Sequence, residues 1–82
     1  MKSIEWNTKA VRQLRKIRDQ RTQERIYNAV EGLKSFPECP NVKKLRDRDG
    51  YRLRVGRWRI IFTESLEIIK IQEVIARDEH TY

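Results

Sequence analysis

The chain has 82 residues, of which 38% are hydrophobic and 38% charged, with a net charge of +7 and an isoelectric point near 10.0. That length suits one domain, residues 1–82, with a modest core. One cysteine (Cys39) and one histidine (His80) exclude an internal disulfide and a zinc site of Cys and His ligands, and three glycines (Gly32, Gly50 and Gly56) leave no glycine-rich phosphate loop.

Ile4 to Trp6 reads as a short first strand. Asn7 or Thr8 can cap the helix that follows, because either side chain accepts from free helical N–H groups. Ala10, Val11, Leu14 and Ile17 recur at helical spacing, and Arg12, Arg15 and Lys16 fill the other face. Asp19-Gln20-Arg21 is expected to turn the chain. A second helix from about Thr22 carries Ile26, Ala29, Val30 and Leu33 on one stripe, extended by Phe36 and ended by Pro37. Residues 38–50 read as irregular, with Leu45 as an inward anchor.

Strands are expected at about 51–55, 57–64 and 67–76. In the first, Tyr51, Leu53 and Val55 alternate with Arg52 and Arg54; in the second, Trp58, Ile60 and Phe62 alternate with Arg57 and Arg59. Gly56 alone is too short for a two-residue hairpin loop, so the strand ends must supply turn residues. Ser65-Leu66 reads as the next turn. The last strand has apolar residues on both faces (Ile68, Ile69, Ile71, Val74, Ile75), which suits a central position. The order β-α-α-β-β-β predicts an α+β domain: a helix hairpin packed on one face of a small, mainly antiparallel sheet. The other face is left to Arg52, Arg54 and Arg59.

Charge is uneven along the chain. Residues 1–40 carry net +4, residues 41–62 net +6, and residues 63–82 net −3. A positive field concentrated in the middle third favours an anionic partner, and arginine's planar fork of donors fits phosphate oxygens. The longest aliphatic or aromatic run is Ile60-Ile61-Phe62, far short of a membrane span, and Met1 to Trp6 lacks the apolar core of a signal peptide. The expectation is a cytoplasmic protein with no membrane partner. Cys39, between Pro37 and Pro40, reads as a loop residue with no base nearby to activate it.

Three segments together resemble the RelE/ParE toxin superfamily of bacterial toxin–antitoxin systems: Lys43-Lys-Leu45, Gly50-Tyr-Arg-Leu-Arg-Val-Gly56 and Arg57-Trp-Arg-Ile-Ile-Phe62. The ending, Val74-Ile-Ala-Arg77 followed by His80 and Tyr82, matches as well. The resemblance spans nearly the whole chain. RelE-like members are metal-free endoribonucleases that cut messenger RNA in the ribosomal A site. The implied function is therefore a translation-inhibiting toxin without a cofactor, whose partners are an acidic antitoxin, the 70S ribosome and mRNA. Carried over by position, the implied catalytic residues are Arg52, Arg54, Arg59, Arg77, His80 and Tyr82; Lys43, Lys44, Arg46 and Arg57, in the basic middle third, are expected to bind RNA. RelE itself has lysines at the positions of Arg52 and Arg54.

Metal-free RNA cleavage must remove the 2′-OH proton, stabilise the phosphorane and protonate the leaving 5′-oxygen. Arginine suits the second task and, always protonated, not the first. His80 is the best titrating candidate, and Tyr82 suits stacking on a base or donating a proton. Two other readings share these residues: a ParE-like DNA gyrase inhibitor, and a non-catalytic basic RNA-binding module.

Overall fold

The computed structural model describes residues 1–76. Strand β1 (Ser3–Trp6) leads into helix α1 (Thr8–Arg15) and helix α2 (Gln20–Glu31), which runs on as a short 3₁₀ segment, Gly32–Ser35. Strands β2 (Val42–Lys44), β3 (Tyr51–Val55), β4 (Trp58–Ser65) and β5 (Ile68–Ala76) follow. The strands form one sheet in the order β1-β5-β4-β3-β2. Only β1 and β5 run parallel; the other pairings are antiparallel.

The helix boundaries follow from their caps. Asn7 caps α1, its Oδ1 accepting from the Ala10 N–H at 2.7 Å. Asp19 caps α2 by accepting from the Arg21 N–H, so Gln20 and Arg21 belong to the helix and not to the turn. α1 ends at Arg15; Ile17 lies beyond it but is buried, held by its N–H to the Leu14 carbonyl. Phe36 follows the 3₁₀ segment and joins an aromatic group with Tyr51 and Phe62.

Both helices lie on one face of the sheet. Ile17, Ile26, Val30 and Leu33 are buried in one cluster with Leu53, Val55, Ile60, Phe62, Ile69 and Ile71, and Leu14 packs against it. Each such side chain withdrawn from water contributes about 1.5–3 kcal/mol, so this cluster is the main stabilising feature of the chain. Trp6 and Trp58 pack against the same core, half-buried.

Segment 38–50 is not wholly irregular. Val42, Lys43 and Lys44 pair with Leu53, Arg52 and Tyr51 as a fifth, edge strand. Three residues with one apolar side chain carry no periodic signal; pairing with β3 makes them a strand. Leu45 is half-buried outside the core cluster; its N–H bonds the Gly50 carbonyl at 3.0 Å, and its side chain faces the opposite side of the sheet. Gly56 and Arg57 form the two-residue loop between β3 and β4, since Val55 pairs with Trp58. Gly56 has φ 58° and Arg57 a negative φ, the signs of a type II′ turn, which favours glycine first.

Strand β5 carries a bulge. Ile61 pairs with Glu73 but Phe62 pairs with Ile71, so Gln72 is the extra residue. The bulge shifts the core-facing set from Ile69 and Ile71 to Val74, three residues on, and leaves Gln72 and Glu73 together on the open face. The Val74 N–H at this irregularity bonds the Gln13 side chain of α1 at 2.6 Å.

Candidate functional site

The open face is built by alternation. Residues directly opposite in adjacent strands share a face, and so do residues two apart along a strand. Lys43 lies opposite Arg52, and Arg54 lies opposite Arg59. Four cations from β2, β3 and β4 therefore crowd one surface as two like-charged cross-strand pairs. Like charges directly opposite repel, by a few tenths of a kcal/mol up to about 1 kcal/mol for a pair with no other partner. An anion between them reverses the sign.

The surface is concave. A groove of about 460 Å³ is lined by Lys43, Arg46, Asp47, Arg52, Arg59 and Ile61, among others. It includes Lys44 as well. A smaller depression of about 90 Å³ joins Arg52, Arg54, Gly56 and Arg59. Thus Lys43, Arg46, Arg52, Arg54 and Arg59 are brought together, whereas Lys44 borders the groove but lies opposite Tyr51, on the other face of the strand. Arg57 is not among the groove residues: it sits in the β3–β4 turn with its guanidinium 6.0 Å from the centre of the Trp58 ring. Arg77, His80 and Tyr82 lie outside the described residues.

Ile61 is 2% exposed and Ile75 is 4%, yet neither belongs to the core cluster under the helices. Ile61 is flanked by Arg52 on one side and Glu73 on the other. It forms an apolar floor within a charged face. Alternation places it there, but its burial depends on the loop after β2.

Glu73 organises one rim. Its Oε1 lies 3.2 Å from Lys9 Nζ and its Oε2 lies 3.1 Å from Arg48 Nη2. Burial by itself pushes this carboxyl up. Hydrogen bonds from Lys9 and Arg48, and their charges, outweigh burial and hold it below its ordinary value. Glu73 thus ties α1 and the loop after β2 to β5. Glu64, at the far end of β4, pairs with Lys2 at 2.6 Å. None of these ion pairs is legible in the linear spacing, since the two partners of each are 25 residues apart or more.

A separate concavity of about 670 Å³ lies between α2 and β3, lined in part by Arg25, Cys39, Asn41 and Arg54. Burial, and then the charge of Glu38, push the Cys39 thiol up, away from the reactive thiolate. Among the described residues no group of three or more His, Cys, Asp or Glu side chains converges to hold a metal ion. No helix among them is long and apolar enough to cross a membrane.

The architecture is that of RelE-like toxins, two helices against a five-stranded mixed sheet. A chain of the archaeal RelE–RelB complex from Pyrococcus horikoshii OT3 superposes with a TM-score of 0.79 at 23% identity, covering 96% of this chain and 98% of that one. A chain of the RelB–RelE antitoxin–toxin complex from Methanococcus jannaschii gives 0.77 at 22% identity, covering 92% of each. One from the toxin–antitoxin complex RelBE2 of Mycobacterium tuberculosis gives 0.78 at 22%, covering 93% and 98%. Identities of this size show a shared fold. The family assignment comes from sequence: residues 4–80 match the model of the ParE toxin of type II toxin–antitoxin systems, parDE. The chain belongs to that toxin family, within the RelE/ParE superfamily. No curated protein sequence matches it significantly.

Proposed function

We propose that this toxin inhibits translation by cutting messenger RNA in the ribosomal A site. The observation that supports this most is the pair of like-charged couples, Lys43 opposite Arg52 and Arg54 opposite Arg59, on one concave face. A sheet holding four cations in that arrangement is preorganised for phosphate oxygens. In the cleavage step the 2′-oxygen attacks the adjacent phosphorus, the P–O5′ bond breaks, and a cyclic phosphate and a 5′-hydroxyl result. Arg59, with Arg52 and Arg54, stabilises the extra charge on the nonbridging oxygens. His80 is assigned the proton transfers, Arg77 a further phosphate contact and Tyr82 base stacking. An acidic antitoxin neutralises the toxin by meeting the same cations, opposite charge steering and registering the encounter.

The family description favours one rival, a ParE-like inhibitor of DNA gyrase. Single-turnover cleavage of a message in the A site of purified ribosomes separates the two. Wild-type protein is expected to cut, and Arg59→Ala to cut about 10²–10³-fold more slowly with the fold intact. His80→Ala is expected to lose about 10²–10⁴-fold and any pH dependence near neutrality. No cut by wild type, with gyrase-dependent DNA breaks instead, would overturn the proposal in favour of the rival.

A further inference from the structure

Beside the basic groove lies a second pocket of different chemistry. It encloses about 250 Å³ and shares the Ile61 floor with the groove. At the ~30 Å³ that a water occupies in the liquid, that is space for about eight waters: one ring system and little more. Its walls include Asn7, Thr63, Gln72 and Asp49. Its two cations, Lys9 and Arg48, are both engaged by Glu73. The groove offers positive charge; the pocket, besides the Glu73-bound cations and the Asp49 carboxylate, offers the neutral groups of Asn7, Thr63 and Gln72 over an apolar floor.

Those groups are polarised in one direction. The Ala10 N–H fixes which end of the Asn7 amide is its oxygen, because only oxygen can accept. Asn7 Nδ2 must then donate to Gln72 Oε1, at 3.0 Å. Gln72 Nε2 is left to donate to Thr63 Oγ1, at 3.3 Å. The Thr63 oxygen is therefore an acceptor within the chain, and its own proton points onward. Among the described residues that proton has no acceptor. A backbone N–H at the start of α1 thus sets a hydrogen-bond donor at the far end, in a pocket next to a phosphate-binding groove.

We infer that this pocket holds one base of a single-stranded RNA whose phosphate lies in the basic groove, and that Thr63 reads the base by donating to O4 of uracil or O6 of guanine, the position where cytosine and adenine carry an amino group. The inference rests on the RNA reading above. Arg59, Ile61 and Thr63 share the open face at two-residue steps along β4, so Arg59 and Thr63 stand about 13 Å apart. One nucleotide spans that distance from phosphate to the far edge of its base once a hydrogen bond is added at each end. The donor favours keto bases, uracil and guanine, over the amino bases cytosine and adenine. Uracil and cytosine differ at this edge by a carbonyl against an amino group, which makes them the sharpest comparison.

The test is binding of short labelled oligo(U), oligo(C) and abasic strands by fluorescence anisotropy across a salt series. Wild type is expected to prefer oligo(U) over oligo(C) by about tenfold, the discrimination of one good base contact. Thr63→Val keeps the β-branched shape and removes the donor; discrimination should fall to near parity with the salt slope unchanged. Thr63→Ser restores the donor and should restore the preference. Arg52→Ala should weaken oligo(U) and oligo(C) equally and lower the salt slope by about 0.7. Equal, salt-dependent binding of all three strands would refute the base pocket and leave the phosphate face standing. Persistent discrimination in Thr63→Val would refute it as well. Absence of salt-dependent binding to every strand would remove the pocket together with the RNA-binding reading of the groove.

Discussion

The like-charged couple Lys43–Arg52 makes a prediction that opposes stability to function. Charge reversal by Lys43→Glu turns a repulsive cross-strand pair into an attractive one. With the charged ends ~6 Å apart in water, Coulomb's law gives about 0.7 kcal/mol. Screening over a Debye length of ~10 Å reduces this to about 0.4 kcal/mol. Reversal swings the pair by twice that, about 0.8 kcal/mol, since repulsion is lost and attraction gained. For a domain of this size 1 kcal/mol moves Tm by roughly 4–8 °C, so Lys43→Glu should melt about 3–6 °C higher than wild type. The assay is thermal unfolding in 0.1 M salt and in 1 M salt, where the Debye length is ~3 Å and the gain should fall to about a quarter. The same variant should bind RNA or any polyanion more weakly. A lower Tm in 0.1 M salt, or a gain undiminished in 1 M salt, would refute the reasoning, because the pair would then not be governed by charge.

Three further outcomes follow from the contacts around the groove. Gln13→Met removes the acceptor from the Val74 N–H, whose residue is 2% exposed, and should destabilise by about 1–3 kcal/mol in urea unfolding. Glu73 is held below its ordinary value. Its stabilising effect is therefore full above the unfolded carboxyl pKa of ~4.3 and lost as pH falls through the folded value. Glu73→Gln should flatten that acid limb; because Lys9 and Arg48 are largely exposed, the loss at neutral pH should be no more than about 1 kcal/mol. Gly50 has φ 121°, and an added Cβ would meet the Phe62 carbonyl at 3.0 Å, so Gly50→Ala should destabilise by roughly 1–3 kcal/mol, read by chemical unfolding.

Much of the fold was legible because its signals are local. The alternation from Tyr51 to Phe62 assigns Leu53, Val55 and Ile60 to the helix side and Arg52, Arg54 and Arg59 to the open side, as the fold has them. A period of two needs no tertiary information. The helix stripe of Ile26, Val30 and Leu33 was readable for the same reason. Strand β2 was not: Val42-Lys-Lys44 has no alternation to detect, and its state depends on the partner strand. Leu45 was misplaced because an apolar residue in a loop carries no mark of which face it covers. The bulge at Gln72 was hidden in a strand whose both faces are apolar.

The candidate site divides along the same line. Composition and strand period determined that a cationic face exists and which arginines occupy it, since these depend only on residue type and side-chain direction. The pairing register decided that the cations meet as Lys43–Arg52 and Arg54–Arg59, because cross-strand neighbours are set by which strands join and at what offset. Tertiary structure alone brought Asn7, Thr63 and Gln72 into one polarised chain and Lys9, Arg48 and Glu73 into one hub. Those residues come from opposite ends of the sequence. A hydrogen bond or ion pair acts over a few ångströms, so only the packing of α1 and the β2–β3 loop around the bulge of β5 could create them.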